Sequence, residues 1–195
     1  MEDSQLGKFV LITGGARSGK SRLAEKIAHR SKGAVAYIAT AEVLDEEMAH
    51  RVAQHQASRP QNWVTIEETL DLVNALEQVP PQTETVLIDC LTVWLTNCLL
   101  AEYEEGFTTE EVKKVEAGIQ DKLAHFCREA KNKPFRIIVV TNEVGSGVVP
   151  DTPLGRIFRD IAGRANQQVA QAADSVWLAV AGYPLCVKEY GKAGL

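Results

Sequence analysis

Eight residues near the start of the chain, Gly14-Gly15-Ala16-Arg17-Ser18-Gly19-Lys20-Ser21, carry the spacing G-x-x-x-x-G-K-[ST]. A glycine-rich turn of this kind curls the backbone so that several N–H groups point at one phosphate group, and the N-terminus of the following helix adds partial positive charge. In such a loop Lys20 reaches the β- and γ-phosphates and the Ser21 hydroxyl ligates Mg²⁺. A second candidate is Asp89, which ends the apolar run Thr85-Val86-Leu87-Ile88. An Asp at that place holds Mg²⁺ in P-loop enzymes, directly or through water, although a strand-end Asp is also a common helix cap. Glu47, Arg51 and His55 recur every fourth residue and share a polar face if the segment is helical. That pattern suits ion pairs on a solvated helix as well as chemistry, and neither His55 nor His50 stands out by spacing alone. Arg156, Arg159 and Arg164 could face anionic phosphates or pair with Asp160 at the surface.

These residues need elements to position them. Phe9 to Thr13, Ala34 to Ala39, Thr85 to Asp89 and Arg136 to Thr141 are apolar runs expected as buried strands, with a shorter alternating strand at Trp63 to Glu67. Helices are expected over Gly19–Ser31, 44–59, Leu70–Gln78, Leu91–Ala101, Thr109–Lys131 and Leu154–Ala173. Ser175 to Ala181 reads as a last strand, Gly182-Tyr183-Pro184 as its turn, and Leu185 to Glu189 as its hairpin partner. The loop Val144 to Pro150 is too apolar for an ordinary solvated loop and is expected to pack or close over something. Met1 to Gly7 is expected as a flexible lead to a single domain spanning 1–195. Strands alternating with helices imply a mostly parallel sheet covered on both faces. Ligands bind such sheets at the carboxyl ends of the strands, so Gly14, Thr40, Asp89 and Asn142-Glu143 should meet on one rim.

Composition narrows the function classes. The formal net charge of −5 over 195 residues argues against a general nucleic-acid surface. No apolar run is long enough to span a membrane, and the acidic start does not resemble a signal peptide, so a cytoplasmic protein is expected. Cys90, Cys98, Cys127 and Cys186 form no C-x-x-C pair and read as buried thiols; no base is recognisable beside Cys90 to make it a nucleophile.

Taken together, the P-loop block, Tyr37-Ile38-Ala39-Thr40, Glu47-Met48, Arg51 with His55-Gln56-Ala57-Ser58-Arg59-Pro60, Thr141-Asn142-Glu143-Val144-Gly145 with Val149-Pro150, and Phe158 to Gln167 resemble one family. It is the bifunctional adenosylcobinamide kinase/adenosylcobinamide-phosphate guanylyltransferases of cobalamin synthesis. The resemblance runs from about Phe9 to Lys188. It implies a P-loop NTPase-like, RecA-like fold and a homotrimer. It also implies two reactions. The first phosphorylates the terminal hydroxyl of adenosylcobinamide with ATP or GTP. The second transfers GMP from GTP to the product through a guanylylated histidine, releasing pyrophosphate. His55 matches the family's H-x-x-x-R-P pattern and His50 does not. The residues implied around the nucleotide are Gly14 to Ser21, Glu42, Val43, Leu44, Gln56, Ala57, Ser58, Arg59, Glu67 and Asp89, with Lys20 and His55 catalytic and Ser21 and Asp89 on Mg²⁺. The family often has Glu where this chain has Asp89, a shorter arm toward the metal.

The chemistry suits the residue types. An unperturbed imidazole, with pKa near 6.5, is neutral often enough at physiological pH to attack an α-phosphate. A phosphoramidate then splits one difficult transfer into two easier steps. Glu47 or another carboxylate is expected to orient the His55 ring. Two other readings compete with this one. One is a simpler P-loop kinase of a small metabolite. The other is a GTP-binding regulatory module, against which the chain lacks the guanine-specifying N-K-x-D motif.

Overall fold

The computed structural model describes residues 6–42 and 60–191. The expected helix over 44–59, with His50 and His55, lies outside the described residues. Among the described residues, seven strands form one sheet in the order β3-β2-β4-β5-β1-β6-β7. They are β1 (Phe9–Thr13), β2 (Ala34–Ala39), β3 (Val64–Glu67), β4 (Thr83–Asp89), β5 (Arg136–Val140), β6 (Ser175–Val180) and β7 (Tyr183–Cys186). The first six are parallel and β7 is antiparallel to β6. The helices among the described residues are α1 (Lys20–Ala28), α2 (Leu72–Glu77), α3 (Leu91–Glu102), α4 (Thr109–Asn132), α5 (Pro153–Ala172) and the single turn α6 (Val187–Tyr190).

The unbroken apolar runs are explained by burial on both faces. Phe9, Leu11, Val86, Ile88, Ile137 and Val139 point into a core shared with α2 to α5. Their neighbours Val10, Ile12, Leu87, Ile138 and Val140 point the other way, against Ala24, Ile27 and Ala28 of α1. The larger core closes with Phe9 edge-on to Phe126, ring centroids 6.1 Å apart. The apolar segment expected as a buried helix is α3, with Leu91, Trp94, Leu95, Cys98 and Leu99 in that core.

Local polar chemistry sets the element ends. The Thr108 hydroxyl accepts from Glu111 N–H while the Glu111 carboxylate takes Thr108 N–H, a capping box that starts α4. The second helix begins at Leu72, not Leu70, because the Glu68 carboxylate takes the N–H groups of Leu70 and Asp71. Asp71 then caps Val73 and Asn74. Burial raises the Glu68 pKa, yet these hydrogen bonds outweigh it and the net shift is downward. The first helix ends at Ala28 rather than Ser31, its final turn tightening through Arg30 N–H to Ile27 O and Ser31 N–H to Ala28 O.

Two expectations at the chain ends are corrected. Leu6 and Gly7, read as part of the flexible lead, are packed: Leu6 is fully buried, its carbonyl accepts from Ser175 Oγ at 2.6 Å, and Gly7 O accepts from Arg136 Nε. The hairpin turn is Ala181-Gly182, both at positive φ (50° and 85°), so the returning strand begins at Tyr183. Pro184 sits inside it, opposite Ala179, which is tolerable because β7 is an edge strand. The residues after Cys186 turn into α6 instead of continuing the strand.

Candidate active site

Parallel pairing puts the carboxyl ends of β1 to β6 on one rim, and the strand order says which ends are neighbours. The central strand β5 stands between β1, which feeds the P-loop, and β4, which ends in Asp89. Thr40, Asp89, Asn142 and Glu143 therefore follow strand ends on the same rim as Gly14, as expected.

The P-loop has the close approaches its glycines permit. A Cβ on Gly14 would meet Ala179 O at 2.5 Å and Ser18 Oγ at 2.6 Å. Gly19 is the N-cap of α1 at φ 94°, and a Cβ there would stand 3.2 Å from Gly182 Cα. Arg17 also takes positive φ, 56°. Gly182 N–H donates to Ser18 O at 2.9 Å, so the β6–β7 turn is fastened to the loop. Lys20 Nζ donates to Gly15 O at 3.2 Å, folding the ammonium back over the loop it serves. Ser21 is the second residue of α1 and is half-buried. The Ser18 and Thr13 hydroxyl oxygens are buried and have no partner among the described residues.

Polar side chains brace the rest of the rim. Thr40 Oγ1 donates to Cys90 O and accepts from Cys90 N–H, at 2.8 and 2.9 Å, tying the ends of β2 and β4 together. Asn97 Nδ2 donates to Thr40 O and Thr69 O. Thr40 is fully buried, so its part is structural. At the end of β5, Thr141 Oγ1 donates to Asn166 Oδ1 at 2.7 Å and pairs with Thr92 Oγ1 at 3.2 Å. Thr92 Oγ1 accepts from Asn142 N–H at 2.7 Å, and Asn166 Nδ2 donates to Asn142 O at 3.0 Å. Sequence reading missed this lattice. Asn166 lay in one of the resembling blocks, but nothing around Thr92 marked it.

Asp89 is half-buried and joined to Cys90 by a cis peptide. Burial, then the neighbouring Asp89 carboxylate, pushes the Cys90 thiol up to about 11, which suits a spectator rather than a nucleophile. Glu42, past the end of β2, and Glu67, the last residue of β3, are exposed. The arginines of α5 are occupied elsewhere. Arg159 Nε and Nη2 bond Asp160, Arg164 pairs with Glu116 of α4, and Arg156 donates to the carbonyls of Pro150 and Asp151. Val144 packs on the core, as expected of an apolar loop, while Val148 and Val149 at its tip are 94% and 62% exposed. Val43, Leu44, Gln56, Ala57, Ser58 and Arg59 lie outside the described residues, as do Glu47, Arg51, His50 and His55.

Ser21 and Asp89 supply oxygen donors of the kind a hard cation takes. Among the described residues no group of three His, Cys, Asp or Glu could hold a metal unaided. Mg²⁺ needs none, since it binds through one or two carboxylates together with water and substrate phosphates. The pair fits that pattern. No helix among the described residues is long and apolar enough to cross a membrane.

The family model of cobinamide kinase/cobinamide phosphate guanyltransferase matches residues 10–187. A bifunctional adenosylcobalamin biosynthesis protein of Escherichia coli K12 is 42% identical over 182 residues, covering 92% of this chain and 99% of that protein. The similarly described protein of Pseudomonas aeruginosa is 43% identical over 178 residues, covering 91% of this chain and 96% of its own. Among solved structures, a prototypical ATPase from the type III secretion system of pathogenic bacteria superposes with a TM-score of 0.52 at 14% identity. That match covers 94% of this chain and 58% of the ATPase, and it bears on the fold alone.

Proposed function

The chain belongs to the cobinamide kinase/cobinamide phosphate guanyltransferase family, and from that premise we propose that one catalytic domain carries out both reactions in turn. ATP or GTP phosphorylates the terminal hydroxyl of adenosylcobinamide; GMP then passes from GTP to the new phosphate, giving adenosylcobinamide-GDP and pyrophosphate. The observation that carries this reading is the P-loop, set on the same rim as Asp89 with one strand between them.

In the kinase step Lys20 and the N–H groups of residues 14–21 offset the charge of the β- and γ-phosphates. Ser21 and Asp89 would hold Mg²⁺, which when bound neutralises charge on the phosphate oxygens. In the transfer, His55 attacks the α-phosphorus of GTP, pyrophosphate leaves, and the substrate phosphate then displaces the imidazole. Gln56, Ala57, Ser58, Arg59, Glu42, Val43, Leu44 and Glu67 would line the nucleotide beyond its phosphates. Glu42 follows β2 and Glu67 ends β3, well along the rim from β1, which suits contact with ribose or base rather than the γ-phosphate.

The experiment is the intact mass of wild type and His55→Asn after incubation with GTP, with and without Mg²⁺. One acid-labile GMP is expected on wild type with Mg²⁺ and none on the variant. No gain on wild type that has bound GTP would reduce the reading to a plain kinase.

We also propose a cytoplasmic homotrimer. The apolar residues of α3 serve the chain's own core, with Leu100 the large one left mainly exposed. The better surface for self-association is the hairpin and α6, where Val180, Tyr183, Leu185 and Tyr190 are exposed. Light scattering should return three times the chain mass for wild type and a lower mass for Tyr183→Lys.

A further inference from the structure

Among the described residues, five carboxylates stand at or just past strand ends on the rim: Glu42, Glu67, Glu68, Asp89 and Glu143. Their distances from the P-loop differ by topology. Neighbouring strands lie about 4.8 Å apart, so β5 is about 5 Å from β1, β4 about 10 Å, β2 about 14 Å and β3 about 19 Å. Glu143 follows β5, and its N–H donates to Gly14 O at 3.0 Å, so its backbone is bonded to the first glycine of the P-loop. Its carboxylate is half committed. Oε1 accepts from Gly145 N–H at 2.6 Å and Ser146 N–H at 3.1 Å, and more distantly from Ser146 Oγ at 3.5 Å. No hydrogen bond involves Oε2 among the described residues. The lattice of Thr92, Thr141 and Asn166 fixes the backbone just before it. The roles of Lys20, Ser21, Asp89 and His55 leave this carboxylate without one.

We propose that Glu143 is the catalytic base of the kinase step. This inference rests on the kinase/guanylyltransferase reading. The acceptor's terminal hydroxyl oxygen attacks the γ-phosphorus, and the bond from that phosphorus to the β–γ bridging oxygen breaks. The nucleoside diphosphate leaves with the electron pair, and the hydroxyl proton passes to Glu143 Oε2. The N–H donors on Oε1 fix the carboxylate and leave its other oxygen for the proton. Asp89 is assigned to the cation, Glu42, Glu67 and Glu68 belong to strands too far along the rim, and the Glu68 carboxylate is taken by Leu70, Asp71 and Asn74. The guanylyl transfer needs no such base. Its nucleophiles are a neutral imidazole and a phosphate monoester, whose second pKa near 6 leaves it largely dianionic at neutral pH. One of the two reactions therefore depends on Glu143 and the other does not.

The test is Glu143→Gln, which keeps an Oε1 acceptor for Gly145 and Ser146 and removes the basic oxygen. Phosphorylation of adenosylcobinamide should slow by about 10²-fold or more in kcat, the usual yield of a positioned general base. Self-guanylylation by GTP, and transfer to separately supplied adenosylcobinamide phosphate, should stay at the wild-type level. Glu143→Asp, with a carboxylate on a shorter arm, should recover part of the kinase rate. A wild-type kinase rate in Glu143→Gln would overturn the proposal. So would an equal loss of both reactions, which would make Glu143 a tether for its loop. A wild-type protein that never phosphorylates the acceptor would overturn the underlying reading, and that control separates the two failures.

Discussion

Thr92 offers a direct test of how the rim is held. Its hydroxyl accepts Asn142 N–H at 2.7 Å and, because the Thr141 hydroxyl donates to Asn166, gives its own proton to Thr141 Oγ1. Thr92 and Thr141 are 7% and 1% exposed, so water does not readily replace either bond. Thr92→Val preserves shape and leaves the Asn142 N–H without an acceptor. A buried polar group stranded in this way costs about 1–3 kcal/mol. For a chain of this size each kcal/mol shifts Tm by about 2–4 °C, so the variant should melt about 2–12 °C lower in ligand-free calorimetry. Thr141→Val and the double variant complete a cycle. Because the two hydroxyls share one network, their effects should miss additivity by about 0.5–3 kcal/mol. A fall in Tm under about 1 °C for Thr92→Val, or additivity within about 0.3 kcal/mol, would refute the claim that this lattice fixes the end of β5.

Other consequences can be checked separately. Gly14→Ala puts a methyl against a backbone carbonyl and the Ser18 hydroxyl, at 2.5 and 2.6 Å, so β6 or the P-loop must shift. Overpacking of that kind costs about 1–3 kcal/mol, and the variant should melt lower and bind GTP more weakly in titration calorimetry. Gly15→Ala, whose Cβ meets nothing within 4 Å, should leave the Tm of the free protein unchanged. The thiols of Cys98 and Cys127 are each pushed up from 9.0 to about 11, chiefly by burial. The folded state thus holds these protons more tightly than the unfolded chain. Their contribution is complete below pH 9 and is lost as pH rises through about 11. The denaturation midpoint of wild type should fall across that window more steeply than that of Cys98→Ala/Cys127→Ala; parallel curves would contradict the assignment.

The P-loop and the apolar strands were legible in the sequence because each follows from a local rule: glycine spacing for one, burial on both faces for the other. Boundaries were lost where a side chain competes for backbone groups. Glu68 delays α2 by capturing the N–H groups of Leu70 and Asp71, and Asp71 then caps its start, which no periodicity reports. Pro184 misled for a different reason: proline marks turns unless the strand is an edge strand, and edge position is a property of the whole sheet. The apolarity of Val144 to Pro150 was real, but only Val144 spends it on the core.

Strand order was the larger gap, and it matters most for chemistry. Apolar runs read alike, so the sequence placed Gly14, Asp89 and Asn142-Glu143 on one rim without saying which were neighbours. The observed order inserts β5 between β1 and β4. That single fact separates the P-loop from Asp89 by two strand spacings, about 10 Å, room for phosphate groups and a cation between Lys20 and the carboxylate. It also brings Glu143 within one backbone hydrogen bond of Gly14. A residue that in the sequence was one of several strand-end acids becomes, through topology, the acid whose backbone is bonded to the phosphate loop. The same insertion makes the Thr92 lattice consequential, because any slack at the end of β5 is passed to Glu143 and, through its bond to Gly14, to the loop that binds the nucleotide.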